Sequence, residues 1–181
     1  MLLDYLIKKA TGKTTLSHAK DIISTVSEHT PGGSLQKSFV DNVFRHKVTP
    51  IKGSILHCSL FGAEHTGVYI GNNQIVELLG TGEIRIATPA MFTEGTNAIS
   101  IYVACNDKEP LGGKNISQRA NSKASTRRDY HLLKDNCHQF TTGCITGDFE
   151  SSTIYFLMVE NSISKEMNLG KPITWRVWDV A

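Results

Sequence analysis

The chain has 181 residues, 40% of them hydrophobic and 20% charged, which is enough for one domain with a real core. Its 19 basic and 17 acidic side chains leave a net charge of only +2, which excludes the strongly basic surface of a nucleic-acid-binding protein. The longest apolar run, Ile154 to Val159, is far shorter than the roughly 18 residues that cross a bilayer, so no transmembrane segment is expected.

Taken in chain order, residues 1–48 read as a helical extension. Leu16, Ala19, Ile22, Ile23 and Val26 recur at helical spacing after a cap at Thr14, Thr15 or Ser17. HTPGG at 29–33 breaks the pattern, and Ser34 can cap a second helix carrying Leu35, Phe39, Val43 and Phe44. GKTT at 12–15 is not a phosphate-binding loop, because Ile7 stands where that motif needs glycine and no strand precedes it. The opening MLLDYLIKKATGK places its basic residues after the apolar ones, the reverse of a secretory signal, so a cytoplasmic protein is expected.

From residue 50 the period changes to two. GSILHCSLF (53–61) alternates Ile55, His57 and Ser59 with Leu56, Cys58 and Leu60, which assigns Cys58 to the core. HTGVYIG (65–71) and QIVELLG (74–80) flank Gly71-Asn72-Asn73, residues that tolerate the positive φ of a tight hairpin turn. A two-residue turn at Asn72-Asn73 would pair Gly71 with Gln74 and Val68 with Glu77; a bulge at the glycines would change that register. IRIAT (84–88) and AISIYVAC (98–105) complete an antiparallel sheet of about five strands, with Cys105 again at a core position. Residues 106–128 read as a polar loop, and the basic stretch from Lys114 to Arg128 as solvated. A helix then starts near Asp135 or Asn136 and stops near Gly147, another is expected within 150–168, and ITWRVWDV (173–180) reads as a last strand. The fold class is therefore α+β, with the sheet packed against the helix that carries KDNCHQFTTGC.

Four cysteines at this length do not make a disulfide framework. A nucleophilic cysteine acts as the thiolate, which a helix N-terminus and a neighbouring imidazole favour. Cys137 sits in the first turn of its helix, where unpaired amides can also receive a developing oxyanion. Cys144 lies two turns on, about 10 Å along the axis, and reads as packing. On the hairpin, His65 can serve as base and Glu77 as the carboxylate that holds it. Tyr69 and Tyr130 are candidate oxyanion donors, although packing is the plainer reading of each. No metal and no cofactor are expected. His57, Cys58, Cys137 and His138 lack metal-ligand spacing, and adjacent Cys and His on a helix should not point at one ion.

EHTGVYIGNNQIVEL followed by DNCHQF resembles the lecithin:retinol acyltransferase-like family, within the NlpC-type, circularly permuted papain-like superfamily. The resemblance rests on His65, Tyr69 and Gly71 and then Asn136, Cys137 and Phe140, and covers roughly residues 50–148 of a domain spanning 49–181. It implies a catalytic set of Cys137, His65 and Glu77. The family's usual residue at the third position is His, where this chain has Glu77, and its usual Glu-His after the cysteine is His138-Gln139 here. The eukaryotic members' C-terminal membrane anchor has no counterpart. The activity implied is thiol acyl transfer, or phospholipase A-like hydrolysis, of a lipid or other small acyl ester or amide. A cysteine amidase or peptidase of the NlpC type, and a silent binding module on the same fold, are the alternatives.

Overall fold

The computed structural model describes residues 47–60, 63–95, 98, 100–129, 136–153 and 155–178. The helices expected in the N-terminal extension, and Tyr130, lie outside these residues. Seven strands form one antiparallel sheet: β1 (Ile55–Leu60), β2 (Ala63–Gly71), β3 (Gln74–Leu78), β4 (Ile84–Ala87), β5 (Tyr102–Asn106), β6 (Glu109–Pro110) and β7 (Thr174–Val177). The order is β4-β3-β2-β1-β5-β6, with β7 paired to β5. The first four strands are a meander, as the alternating pattern predicts. The fifth does not continue it but crosses to pair with the free edge of β1, through Leu56 with Val103 and His57 with Tyr102. Among the described residues the helices are α1 (Pro89–Thr93), α2 (Lys114–Lys123), α3 (Cys137–Thr146) and α4 (Phe156–Glu166). None of the described helices is long and apolar enough to cross a membrane.

Alternation along the strands builds two cores, one on each face. Ile55, Val68, Val76, Leu78, Ala104 and Trp175 face α2, α3 and α4, whose Ile116, Phe140, Ile145, Val159 and Ile163 close over them. Phe140 and Ile145 are fully buried, and each such side chain contributes roughly 1.5–3 kcal/mol. Leu56, Cys58, Tyr69, Ile75, Val103 and Cys105 form the other face, with Phe92 of α1 and Trp178 against them. The core positions expected for Cys58, Cys105 and Cys144 are all observed, and all four cysteines are free thiols.

The expected loop at 106–128 is a correction. It contains the short strand β6 and the ten-residue helix α2. Its composition is polar because only a thin stripe, Ile116, Ser117 and Ala120, faces the core. Its basic residues are not simply solvated. Arg119 donates to the carbonyls of Cys144 and Ile145 at 3.0 and 2.8 Å, and Arg128 to that of Phe149 at 3.0 Å. Arg119 thus satisfies two carbonyls at the end of α3, where a cation is favoured by the helix dipole.

One buried group is costly. The His57 ring is enclosed by Tyr102 (centroids 4.9 Å, stacked), Phe156 (4.9 Å) and Trp175 (4.8 Å, edge-on). Neither ring nitrogen has a well-formed hydrogen bond among the described residues. Burial drives its pKa down to about 3, a shift the Cys58 backbone offsets only in part. The sign follows: between about 3 and 6.5 the unfolded chain binds this proton and the folded chain does not, so acid destabilises the fold through His57. His57→Phe is expected to stabilise the protein by about 1 kcal/mol or more at neutral pH, since it removes an unsatisfied buried polar ring. The gain should grow as pH falls from 6.5, and urea unfolding at pH 7 and pH 5 measures both effects.

Candidate active site

The site begins with the cap of α3. Asn136 adopts extended backbone, and its Oδ1 accepts from the amides of His138 and Gln139 at 3.0 and 3.2 Å. The helix ends at Gly147, whose φ of 92° is left-handed. Both ends stand where the capping residues predict. The cap takes two of the first-turn amides that the sequence offers to an oxyanion and does not engage the amide of Cys137.

The hairpin supplies the second part. Asn72 and Asn73 have φ of 52° and 54°, the signature of a type I′ turn. The register is not the simple one. Gly71 pairs with Gln74, but Tyr69 pairs with Ile75 and Gly67 with Glu77, so β2 carries a one-residue bulge between Tyr69 and Gly71. An unbulged hairpin would place Glu77 opposite Val68, on the sheet face away from His65. The bulge shifts the pairing by one and brings Glu77 to the face of His65, as its diagonal neighbour across Gly67.

There His65 Nε2 and Glu77 Oε2 lie 2.5 Å apart, with Glu77 only 1% exposed. The other carboxylate oxygen of Glu77 accepts from Arg85 Nε at 2.8 Å, and Arg85 also donates to the Met91 carbonyl at 3.1 Å. Phe92 lies against the His65 ring at 5.0 Å. Gly67 leaves the room for this. A Cβ there would meet Phe92 Cε2 at 2.8 Å, Ile75 Cγ2 at 2.9 Å and the Val76 carbonyl at 3.1 Å.

Cys137 reaches this cluster from the helix. Its sulfur lies 3.9 Å from the Glu64 carbonyl and 3.9 Å from Nδ1 of His138, and His65 stands near enough to act on its pKa. Cys137 is 6% and His65 8% exposed. Burial pushes the Cys137 thiol up, but hydrogen bonds from His138 and His65, with their charges, outweigh it and hold the pKa well below the usual thiol value. For His65, burial acts downward, and hydrogen bonds to Cys137 and Glu77 reverse it, raising the pKa to about 9. Cys58, Cys105 and Cys144 go the other way, each pushed up to about 12 chiefly by burial.

The His138 contact corrects an expectation. Adjacent helix side chains normally diverge, but this ring turns back to the sulfur because Thr66 of β2 holds Nδ1 at 3.3 Å. Tyr69 packs: its ring lies edge-on to Trp178, and its hydroxyl accepts from the Asn73 amide at 3.4 Å. Among the described residues no group of three His, Cys, Asp or Glu side chains is arranged to hold a metal ion.

Residues 48–150 match the family described as Lecithin retinol acyltransferase. The chain belongs to this family. Its α+β fold with a seven-stranded antiparallel sheet is consistent with that assignment, and membership suggests an enzyme of acyltransferase or phospholipase-like activity. Among curated proteins none matches the chain.

Gly67→Ala tests the packing around the hairpin. It is expected to cost about 1–3 kcal/mol of stability, and to reduce activity further than stability alone explains, because Phe92 can yield only against His65. Thermal unfolding read beside turnover at a temperature where the variant is folded separates the two.

Proposed function

We propose that the protein is a cysteine-dependent acyl-transfer enzyme in which Cys137 is the nucleophile, His65 the general acid and base, and Glu77 the group that orients His65. The observation that carries this reading is the bonded set His65–Glu77–Arg85 beside Cys137, whose sulfur alone among four thiols is held below its ordinary pKa, with His65 among the causes. A silent binding module has no use for such a thiolate.

In the proposed reaction the thiolate attacks the acyl carbonyl of an ester, and the carbonyl electron pair moves onto oxygen. The Cys137 amide, which the Asn136 cap does not engage, is the donor for that oxygen. Collapse breaks the ester bond as His65 gives its proton to the leaving alcohol, and the acyl group stays on sulfur as a thioester. An acceptor, water for hydrolysis or an alcohol or amine for transfer, then adds to the thioester. Its proton passes to His65 and the thiolate leaves, which restores the starting pair. Glu77 holds the imidazole in the orientation both steps need, and Arg85 holds the other carboxylate oxygen. A lipid substrate accords with the start of α4. Tyr155 and Leu157 are 65% and 64% exposed and bracket Phe156, whose ring lies 5.9 Å from that of His138.

The protein incubated with phospholipid vesicles should release free fatty acid and carry an acyl mass adduct on Cys137. Cys137→Ala should lose the adduct and about three orders of magnitude or more of turnover. Adduct formation with amides but with no ester would replace the lipid reading by an amidase. No adduct with either class would remove the enzymatic one.

The pH dependence has a defined sign. The pair needs His65 protonated, so its population is lost as pH rises through about 9. Glu77 is one of the groups that raise this pKa, so Glu77→Gln should move the alkaline limb of kcat/KM to lower pH and slow turnover by about a hundredfold without abolishing it. An unmoved limb would assign the orienting role to another residue.

A further inference from the structure

The mechanism above leaves one imidazole at the sulfur unused. His138 follows Cys137 in sequence and is 8% exposed, and its Nδ1 stands 3.9 Å from the reacting Sγ. The ring is held there by two buried hydroxyls. Thr141 donates to Thr66 at 3.0 Å, and Thr66 lies 3.3 Å from His138 Nδ1. Thr141 is one turn along α3 from Cys137, and Thr66 adjoins His65 on β2, so the link joins helix to sheet at the level of the sulfur. Both threonines are fully buried. Thr66, which accepts from Thr141, keeps a second lone pair and its own proton, so it can partner Nδ1 whether that nitrogen is bare or protonated. The sulfur therefore has a second imidazole beside it, His138 from the helix, besides His65 from the sheet.

We propose that His138 is a second catalytic base for Cys137, accepting the thiol proton at Nδ1 and stabilising the thiolate together with His65. The proposal deepens the acyl-transfer reading of the same site and rests on it. In the step, the S–H bond breaks, its electron pair stays on sulfur, and the proton adds to the Nδ1 lone pair; no other reagent is required. Protonation of the leaving alcohol remains with His65, which Glu77 holds. His138 thus governs ionisation of the sulfur, and His65 both ionisation and turnover.

The groups around the sulfur leave the effect readable. β2 contributes His65, β3 Glu77 behind it, and β4 Arg85 on the far side of that carboxylate. β1 contributes His57 and Cys58, which burial keeps uncharged, at about 3 and about 12. α4 presents Phe156, and its Glu160 is bonded to Trp175 at 2.7 Å. None of these replaces an imidazole removed from position 138.

The test is the pH profile of alkylation of Cys137 by iodoacetamide, followed by peptide mass spectrometry, in the wild type, His138→Gln, His65→Asn and the double variant. The wild-type midpoint should lie well below 8. His138→Gln should raise it by about one unit or more, and the double variant should exceed His65→Asn alone and approach an ordinary thiol near 8.5. Thr66→Val, which frees the ring while keeping it, should raise the midpoint, and Thr66→Ser should restore it. A purely structural role predicts no such shift, and Cys58, Cys105 and Cys144 staying slow to label shows that each variant is folded. A His138→Gln profile superimposed on the wild type overturns this proposal while leaving the acyl-transfer reading in place. If His138→Gln fails to fold, a wild-type midpoint in both Thr66 variants overturns it instead. A wild-type midpoint of 8 or above defeats the acyl-transfer reading itself.

Discussion

One extra residue in β2 decides on which side of the sheet Glu77 lies. Side chains alternate along a strand, so a register shifted by one exchanges the faces of everything beyond it. Without the bulge between Tyr69 and Gly71, Glu77 would point into the helix-facing core opposite Val68, a buried carboxylate with no partner, and Val76 would leave that core. With it, Glu77 meets His65 and Arg85 on the opposite face. Gly67 is the second half of the same constraint, because it is the residue directly opposite Glu77 and has no side chain to stand between the carboxylate and the imidazole.

The electrostatics follow from that placement. A carboxylate 1% exposed needs its oxygens bonded, and one goes to each neighbour, His65 and Arg85. His65 in turn stands between two acidic groups, Glu77 and Cys137, and their combined effect exceeds the burial that would otherwise strip its proton. The same burial acts on Cys58, two strands from Glu77 and on the same face, but no cation or imidazole bonds that thiol, and it is pushed up instead. Depth alone therefore does not separate Cys137, whose pKa is held down, from the three thiols pushed up; the neighbouring groups do.

Much of this was legible in the sequence, where a local rule dictated the outcome. Alternation of Ile55, His57 and Ser59 with Leu56, Cys58 and Leu60 gives β1 and its faces, and Asn136 and Gly147 mark both ends of α3. The helix α2 was hidden because three buried residues among ten give a mean polarity that reads as a loop. The bulge was hidden for another reason: glycine and asparagine at 71–73 permit both registers, and what favours one is the pairing of Glu77 with Arg85, which is fixed only when β4 closes on β3. The inward turn of His138 depends on Thr66, seventy-two positions earlier in the chain, and no spacing rule relates the two.

The two departures from the family's usual residues form a coherent pair. Where the family usually has histidine, this chain has Glu77, and where it usually has glutamate after the cysteine, this chain has His138. A carboxylate at position 138, in the place of a ring 3.9 Å from the sulfur, would repel the thiolate and raise the affinity of Cys137 for its proton. An imidazole there does the opposite, as its hydrogen bond to Cys137 does here. Moving the carboxylate to position 77 keeps its charge one imidazole away from the sulfur, where it strengthens His65 as a proton holder rather than opposing the thiolate. Arg85 then completes the arrangement, because a carboxylate buried this far from solvent needs a second partner once it no longer sits at the mouth of the helix.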